Sequence, residues 1–481
     1  MEGQGLLLTV MIIYMLFITL VGLYVGKKVK SSEDYAIAGR NLPGWAAALS
    51  ERATGESAWA LLGLPGAAYA LGLTEIWTAI GCVLGILLGW IFIAVRLRDE
   101  AEKYNANSFM EYISKRHGIV GKYMQITGSL IIAFFFFFYI GAQFIGGGKT
   151  INEMFQLDLR LGIIIIVLFV VPYTIYGGFK SVVYTDVIQA VLMFITLVIG
   201  PIVGFIYLAN NPDVFASSIS EALHKSGPEY SSFTGAAKGF GAGVIIVSGF
   251  SWMFGYLGGM PQLATRFMAI KNRKQAIIGR NIGIFWTVFA YTGALLLGWI
   301  GLAMFGPQAI PDRETVMPAV ILTIFPPVIA AILITGAFAA MISTANSLLI
   351  LSATEISDSW KNKNNENQLK RSRIITTILS LLAFGFALAA RENLIYNIVK
   401  YVWAGIGDTF SVVIILSLFW KKFHAKAAFL TIITGIVFTI VWIQTGMEEF
   451  ISCLILTFVV SLITAIIATH LIKPTNYQSN I

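Results

Sequence analysis

A succession of long apolar segments constrains this chain more than any other feature. They lie at roughly 5–26, 42–70, 73–95, 124–148, 161–179, 183–209, 238–262, 276–305, 327–357, 374–390, 395–420, 427–446 and 450–472. Each is long enough to cross about 30 Å of hydrocarbon at about 1.5 Å of helical rise per residue. A soluble chain of 481 residues would form about three domains of about 150 residues. Composition argues against that: 57% of residues are hydrophobic and 12% charged, about half the charged share of roughly 25% in soluble proteins. The expected fold class is therefore an all-α polytopic membrane protein with about thirteen transmembrane helices. A soluble enzyme, a disordered chain and a disulfide scaffold are excluded. Cys82 and Cys453 both lie in apolar runs, and His117, His224, His424 and His470 are far apart. Neither set describes a metal cluster or a catalytic triad.

The first segment has no basic region before it and no small-residue cleavage site after it, so it is expected to be a retained helix. The cations then set the orientation. Lys27, Lys28 and Lys30 follow the first segment; Arg96, Arg98, Lys103, Lys115, Arg116 and Lys122 follow the third; Lys180 follows the fifth. Arg266, Lys271, Arg273, Lys274 and Arg280 follow the seventh; Lys361, Lys363, Lys370, Arg371 and Arg373 follow the ninth. Lys421, Lys422 and Lys426 follow the eleventh, and Lys473 the last. Every cluster follows an odd-numbered segment, which predicts an outside N-terminus, a cytoplasmic C-terminus and a multi-pass protein of the cell (inner) membrane. The net charge of +8 is thus mostly a cytoplasmic-face signal and calls for no nucleic-acid partner. The outer stretch 210–237 is predicted to carry a short helix, and Glu111 to Lys115 another on the inner side. No soluble domain is expected at either end.

Ionisable groups inside a span are costly, so they face a cavity or a partner. The densest set is Ser50-Glu51-Arg52-Ala53-Thr54-Gly55-Glu56-Ser57-Ala58-Trp59 in the second segment. A broken helix resolves the conflict, because unwound backbone can line a polar site and offer its carbonyls to a cation. Arg52 and Glu56 are spaced to pair on one helix face; a purely structural ion pair is the competing reading. In the seventh segment, Ser251-Trp252-Met253-Phe254-Gly255-Tyr256-Leu257-Gly258-Gly259-Met260-Pro261 has a helix-weakening composition, with Trp252 and Tyr256 one turn apart. That pattern predicts a second broken helix with an aromatic wall, against the alternative of simple packing. In the ninth, Ser343-Thr344-Ala345-Asn346-Ser347 offers hydroxyl and amide oxygens suited to a hard monovalent cation. Asp186, at the opening of the sixth segment, is either a second cation ligand or an acid at a helix N-terminus. Asp408, in Trp403-Ala404-Gly405-Ile406-Gly407-Asp408-Thr409, is either a proton carrier or an ion-pair partner of Arg52.

Tyr35-Ala36-Ile37-Ala38-Gly39-Arg40, Gly63-Leu64-Pro65-Gly66-Ala67, Glu75-Ile76-Trp77, Arg96-Leu97-Arg98, Arg266-Phe267-Met268, Ser343-Thr344 and Tyr401-Val402-Trp403-Ala404-Gly405 complete the pattern. Over nearly its whole length the chain resembles the sodium/solute symporters, and among them the bacterial sodium/proline symporters. The resemblance implies a leucine-transporter-type fold with two inverted five-helix repeats. In a single transporter domain spanning 1–481, these would be 42–209 and 238–420, with an extra helix at 5–26 and two more at 427–472. It implies a sodium site on the backbone of Ala53, Glu56 and Ala340 and the hydroxyls of Ser343 and Thr344. A possible second cation would meet Asp186, Ser343, Asn346 and Ser347, and the solute Ser57, Ala58, Tyr139, Trp252 and Tyr256.

The expected function is a secondary active symporter, not an enzyme. It would import a small organic solute, such as the amino acid proline, on a sodium gradient by alternating access, with Na+ as coupling ion and no organic cofactor. This chain departs from the sodium/proline symporters, which have an aspartate at the position of Gly55, uncharged residues at Glu51, Arg52 and Glu56, and no acid at Asp408. The alternative is the same fold coupled to H+ or independent of sodium, with Arg52, Glu56 or Asp408 in place of the sodium site. A membrane sensor on a transporter scaffold is more remote, because it would need an appended signalling domain. The expected partners are the solute and the lipid bilayer, and a monomer is the simplest assembly.

Overall fold

The computed structural model of the protein describes residues 2–27, 32–118, 121–359 and 365–473. Four of the cations assigned above to the inner face, Lys28, Lys30, Lys361 and Lys363, lie outside these residues. Among the described residues the chain is helical, without a strand; the one backbone bridge joins Leu42 to Ile270. Among the described residues, ten helices are long and apolar enough to cross a membrane. The segments expected at 42–70 and 73–95 run together in the stretch Gly44–Lys103, and those at 161–179 and 238–262 correspond to the shorter apolar helices Leu159–Pro172 and Phe240–Gly255. The count by length and composition is thus ten, because breaks shorten some helices and a tight turn fuses others.

The breaks organise the fold. Helix α1 (Glu2–Gly26) is followed by α2 (Gly44–Ala58), inside which Ser57 turns the chain out of helical register at φ 52°, ψ −164°. A wide π turn at Trp59–Gly63 then leads into α3 (Leu64–Leu71), with Pro65 in its first turn. Proline is tolerated there because a first-turn amide has no intrahelical acceptor to lose. After α4 (Ile76–Leu88) and α5 (Ala94–Lys103), α6 (Phe109–His117) contains the predicted inner helix, with Glu111 and Lys115 ion-paired at 3.1 Å. Helix α7 is Gly121–Phe155, and α8 (Leu159–Asn210) is kinked at Gly178, φ 64°. The 210–237 loop carries the expected short helix, Ile219–Ser226.

The seventh segment is discontinuous as its glycines suggested: α9 (Phe240–Phe250), α10 (Trp252–Gly255), then a turn through Gly258 at φ +89°, and α11 (Pro261–Met268). Helices α12 (Arg273–Phe305), α13 (Pro327–Ser359) and α14 (Asn365–Ala389) follow. Next, α15 (Ile395–Val402) passes through a π turn, Trp403–Asp408, into α16 (Thr409–Phe419). Helices α17 (Ala425–Gln444) and α18 (Cys453–Leu471) pack on each other and against that turn.

Small residues let these helices touch backbone to backbone, as packing within a bilayer requires. A Cβ on Gly293 would lie 1.8 Å from the Leu197 carbonyl oxygen, and one on Gly298 2.3 Å from that of Pro65. Buried charges brace the ends of the bundle. At one end, Glu355 of α13 accepts from the Phe109 amide (2.7 Å) and the Ser108 hydroxyl (3.0 Å), and Arg98 donates to the Ile270 and Lys271 carbonyls (3.1 and 2.8 Å). Elsewhere Lys149 pairs with Glu314 (2.7 Å) and Asp312 (2.8 Å), while Glu314 accepts from the amides of Ile395 and Tyr396 (both 2.9 Å).

Candidate functional site

The hydroxyls of α13 meet the broken helix α2. Thr344 donates to the Thr54 carbonyl at 3.1 Å, and the Thr54 hydroxyl lies 3.0 Å from that of Ser347 and 3.4 Å from that of Ser343. Ala53, Glu56 and Ala340 are wholly buried in the same pair of helices. The Glu56 carbonyl accepts from the Trp59 amide across the break, and each carbonyl keeps a second lone pair for another donor or a cation. Asp186 joins this cluster from α8. Its carboxylate accepts from Ser50 (2.6 Å), Ser343 (2.6 Å) and Thr54 (3.3 Å). It stands two turns beyond the Gly178 kink and not at the helix start, so the N-terminal-acid reading is set aside. Asn346 accepts from Thr174.

Arg266 was expected among the cytoplasmic cations; the structure buries it in this cluster. It pairs with Asp186 at 2.9 Å and donates to Ser347 (2.6 Å), Thr54 (2.8 Å) and Ser50 (2.9 Å). The reason is the Gly258–Pro261 break, which redirects α11 into the bundle and takes Arg266 with it. The guanidinium thereby occupies the oxygens foreseen for a second cation at Asp186 and Ser347.

Arg52 lies one turn before the break in a separate buried set. It holds both oxygens of Glu51, with Nε to Oε2 at 2.6 Å, and donates to Glu56 at 2.8 Å and Thr287 at 3.3 Å. Trp90 donates a further bond to Glu51 at 3.1 Å. One arginine so placed neutralises at most one of two carboxylates, and all three side chains are buried. A Cβ on Gly55 would lie 3.3 Å from the Leu263 side chain and 3.4 Å from an Arg52 nitrogen, so this position borders the guanidinium. The expected alternative pairing of Arg52 with Asp408 is not made: both its acidic partners come from its own helix.

The expected solute residues converge beyond the break. Tyr139 donates to Ser57 at 3.1 Å, and the Ala58 amide donates to Gln143 at 3.0 Å. Trp252 stacks on Trp59 with centroids 4.5 Å apart and planes 7° from parallel, and the Tyr256 hydroxyl lies 2.9 Å from that of Tyr291. Trp403 ties them together, at 5.7 Å from Tyr139, 6.2 Å from Trp252 and 5.3 Å from Tyr256. A cavity of about 520 Å³ opens above this wall; Trp252, Tyr396, Thr78 and Glu75 line it together with residues 229–230 and 448–452. Gln143 and Tyr291 did not stand out in the sequence, and Trp403 did so only within a motif and not as a site residue. Gln143 carried one signal, an amide in an otherwise apolar run.

Backbone contact joins the wall to the seventh segment: the Gly259 amide donates to Ser411 at 3.0 Å, and a Cβ on Gly259 would lie 1.9 Å from the Gly407 carbonyl oxygen. Gly259→Ala is therefore expected to destabilise the protein by at least the about 1–3 kcal/mol typical of overpacking. A fall in the thermal unfolding midpoint in detergent checks this; an unchanged midpoint would show that the contact can relax.

Broken helices, a buried oxygen cluster and an aromatic wall are together the features of a membrane transporter. The sodium:solute symporter family matches residues 35–435. The high-affinity proline transporter PutP of Bacillus subtilis is 32% identical over 453 residues, covering 92% of this chain and 94% of PutP. The osmoregulated proline transporter OpuE of the same organism is 31% identical, covering 96% and 94%. Among solved structures, a Na+-coupled sialic acid symporter in a substrate-bound outward-open state superposes with a TM-score of 0.77 at 20% identity, covering 98% of each chain. Mhp1, a nucleobase-cation-symport-1 transporter, superposes at 0.56 and 12% identity, covering 90% and 92%. The chain belongs to the sodium:solute symporter family and has its leucine-transporter-type fold. It is a multi-pass membrane transporter of small solutes, not an enzyme.

Proposed function

We propose that this protein imports a small amino acid, with proline the first candidate, on a sodium gradient. One observation carries the ion: on α13 the Thr344 hydroxyl donates to the Thr54 carbonyl of the broken helix α2, and the Ser343 hydroxyl lies 3.4 Å from that of Thr54. A sodium ion there would be held by the carbonyls of Ala53, Glu56 and Ala340 and by those two hydroxyls, bridging the two helices. The bridge stabilises one arrangement of the bundle, and differential affinity of the two arrangements for ion and solute is what couples them. The solute would lie between Ser57, Ala58 and Tyr139 on one side and Trp252 and Tyr256 on the other. The proline-transporting relatives support the solute class. Asp186, Ser343, Asn346 and Ser347 form the second cation position, reached once Arg266 withdraws.

Two inverted repeats, 42–209 and 238–420, fit the matched placement of the breaks at Ser57 and Gly258–Met260. The distribution of Lys and Arg supports an outside N-terminus and a cytoplasmic C-terminus. The test is uptake of radiolabelled proline into proteoliposomes, with either a sodium gradient or a pH gradient imposed alone. The sodium gradient is expected to drive accumulation. Accumulation on the pH gradient alone, with sodium absent, would overturn the sodium assignment.

A further inference from the structure

The other central buried charges each have an ionic partner. Asp186 has an arginine and three hydroxyls, and Arg52 has two carboxylates, of which Glu56 keeps one oxygen without a hydrogen bond among the described residues. Asp408 differs. It is completely buried, and among the described residues neither of its carboxyl oxygens has a hydrogen-bond partner. The hydroxyls of Thr409, next in the chain, and Ser461, on α18, are also buried and unpartnered. They converge: a Cβ on Gly435 of α17 would lie 2.4 Å from each.

An isolated carboxylate in a water-free interior is among the costliest groups a protein can bury, and binding a proton removes that cost. The position is also mechanically privileged. Asp408 closes the π turn whose first residue, Trp403, packs against Tyr139, Trp252 and Tyr256. Turns of this width interrupt the regular hydrogen-bond ladder and recur at functional sites. A change of charge at one end of the turn therefore acts on the wall of the solute site at the other.

We propose that Asp408 is a proton-binding site, so that each transport cycle moves a proton as well as sodium and solute. In the closed arrangement the carboxyl holds its proton. When the elements packed on the turn separate and water enters, the O–H bond breaks, the proton passes to water and a carboxylate remains. Return to the other arrangement takes a proton from water on the opposite side. No redox partner is involved.

Most of the other titratable groups around the turn have partners of their own. Lys400 of α15 pairs with Glu448. Tyr396 bonds toward Glu75 and Thr78, Tyr139 to Ser57, and Tyr256 to Tyr291. Tyr401 packs on Phe135, and Cys453 at the start of α18 is a buried free thiol. Helix α10, Trp-Met-Phe-Gly, brings no charge.

This inference rests on the symport reading above, so two measurements separate them. The first needs no transport: infrared spectra of the purified full-length protein at neutral pH, wild type against Asp408→Asn. The carbonyl stretch of a protonated carboxylic acid is expected in the wild type and lost in the variant. An unchanged band would overturn the proposal. The second uses proteoliposomes carrying a lumenal pH-sensitive dye and a sodium gradient, with proline added outside. The wild type is expected to acidify the lumen as proline enters; Asp408→Asn is expected to lower the number of protons moved per proline taken up. Equal acidification per proline by both proteins would overturn the proposal. A wild type that takes up no proline would contradict the solute assignment instead, and the carboxyl band would still decide the role of Asp408.

Discussion

Arg52→Met is expected to be the most damaging single exchange at the site. Arg52 is wholly buried and holds both Glu51 and Glu56, and among the described residues neither forms an ion pair with another cation. Removing one partner of a buried ion pair costs about 3–5 kcal/mol, because the charge left behind is uncompensated. Here two carboxylates are left behind, so the loss falls at or above the upper end of that range. The exchange is close in volume and unbranched, so little of the effect comes from packing. The same reasoning predicts rescue. Adding Glu51→Gln and Glu56→Gln removes the stranded charges, and a wholly neutral set can match or exceed a buried ion pair in stability. Retained monodisperse protein after a thermal challenge, read by fluorescence-detected size exclusion, checks both. A triple variant no more stable than Arg52→Met would mean that the arginine acts through shape and hydrogen-bond geometry. The interaction among the three sites is expected to be strongly non-additive, as for any group in one network.

How much of this was legible in the sequence depends on which contacts run along the chain. The break in α2 was signalled by three charges and a glycine within six residues, and the structure puts it at Ser57. The break in the seventh segment was signalled by Gly255, Gly258, Gly259 and Pro261. Polar clusters such as Ser343-Thr344 declared themselves because hydroxyls interrupt an apolar run. Arg266 did not. Sequence position placed it just past a hydrophobic segment, among other cations, which is the signature of a membrane face. Its burial follows from the direction α11 takes after the break, a three-dimensional fact with no local pattern. The role of Trp403 was hidden for a related reason: its motif marked the resemblance, and only the approach of α7 and of the Trp252–Tyr256 stretch makes it a hub. The partner of Arg52 was open between Glu56 and Asp408. Helical spacing favoured the first, and the structure adds Glu51, an adjacent residue that spacing rules for helix faces would not nominate.

The double exchange Ser343→Ala and Thr344→Ala is the second large effect, and it tests the account where it is most exposed. Both residues are fully buried, with Ser343 donating to Asp186 and Thr344 to the Thr54 carbonyl, and the exchange removes two hydroxyls and the one methyl of Thr344. Contacts to a charged group are worth about 1.5–3 kcal/mol each. Losing two therefore removes about 3 kcal/mol or more, and at about 1.4 kcal/mol per tenfold the sodium affinity falls at least about a hundredfold. The Asp186–Arg266 pair remains in place, so the variant is expected to fold. The direct measurement is equilibrium binding of radioactive sodium to the purified protein, wild type against the double variant. The account predicts saturable binding by the wild type that is lost from the variant over the same concentration range. Sodium binding of equal affinity in both proteins would contradict it.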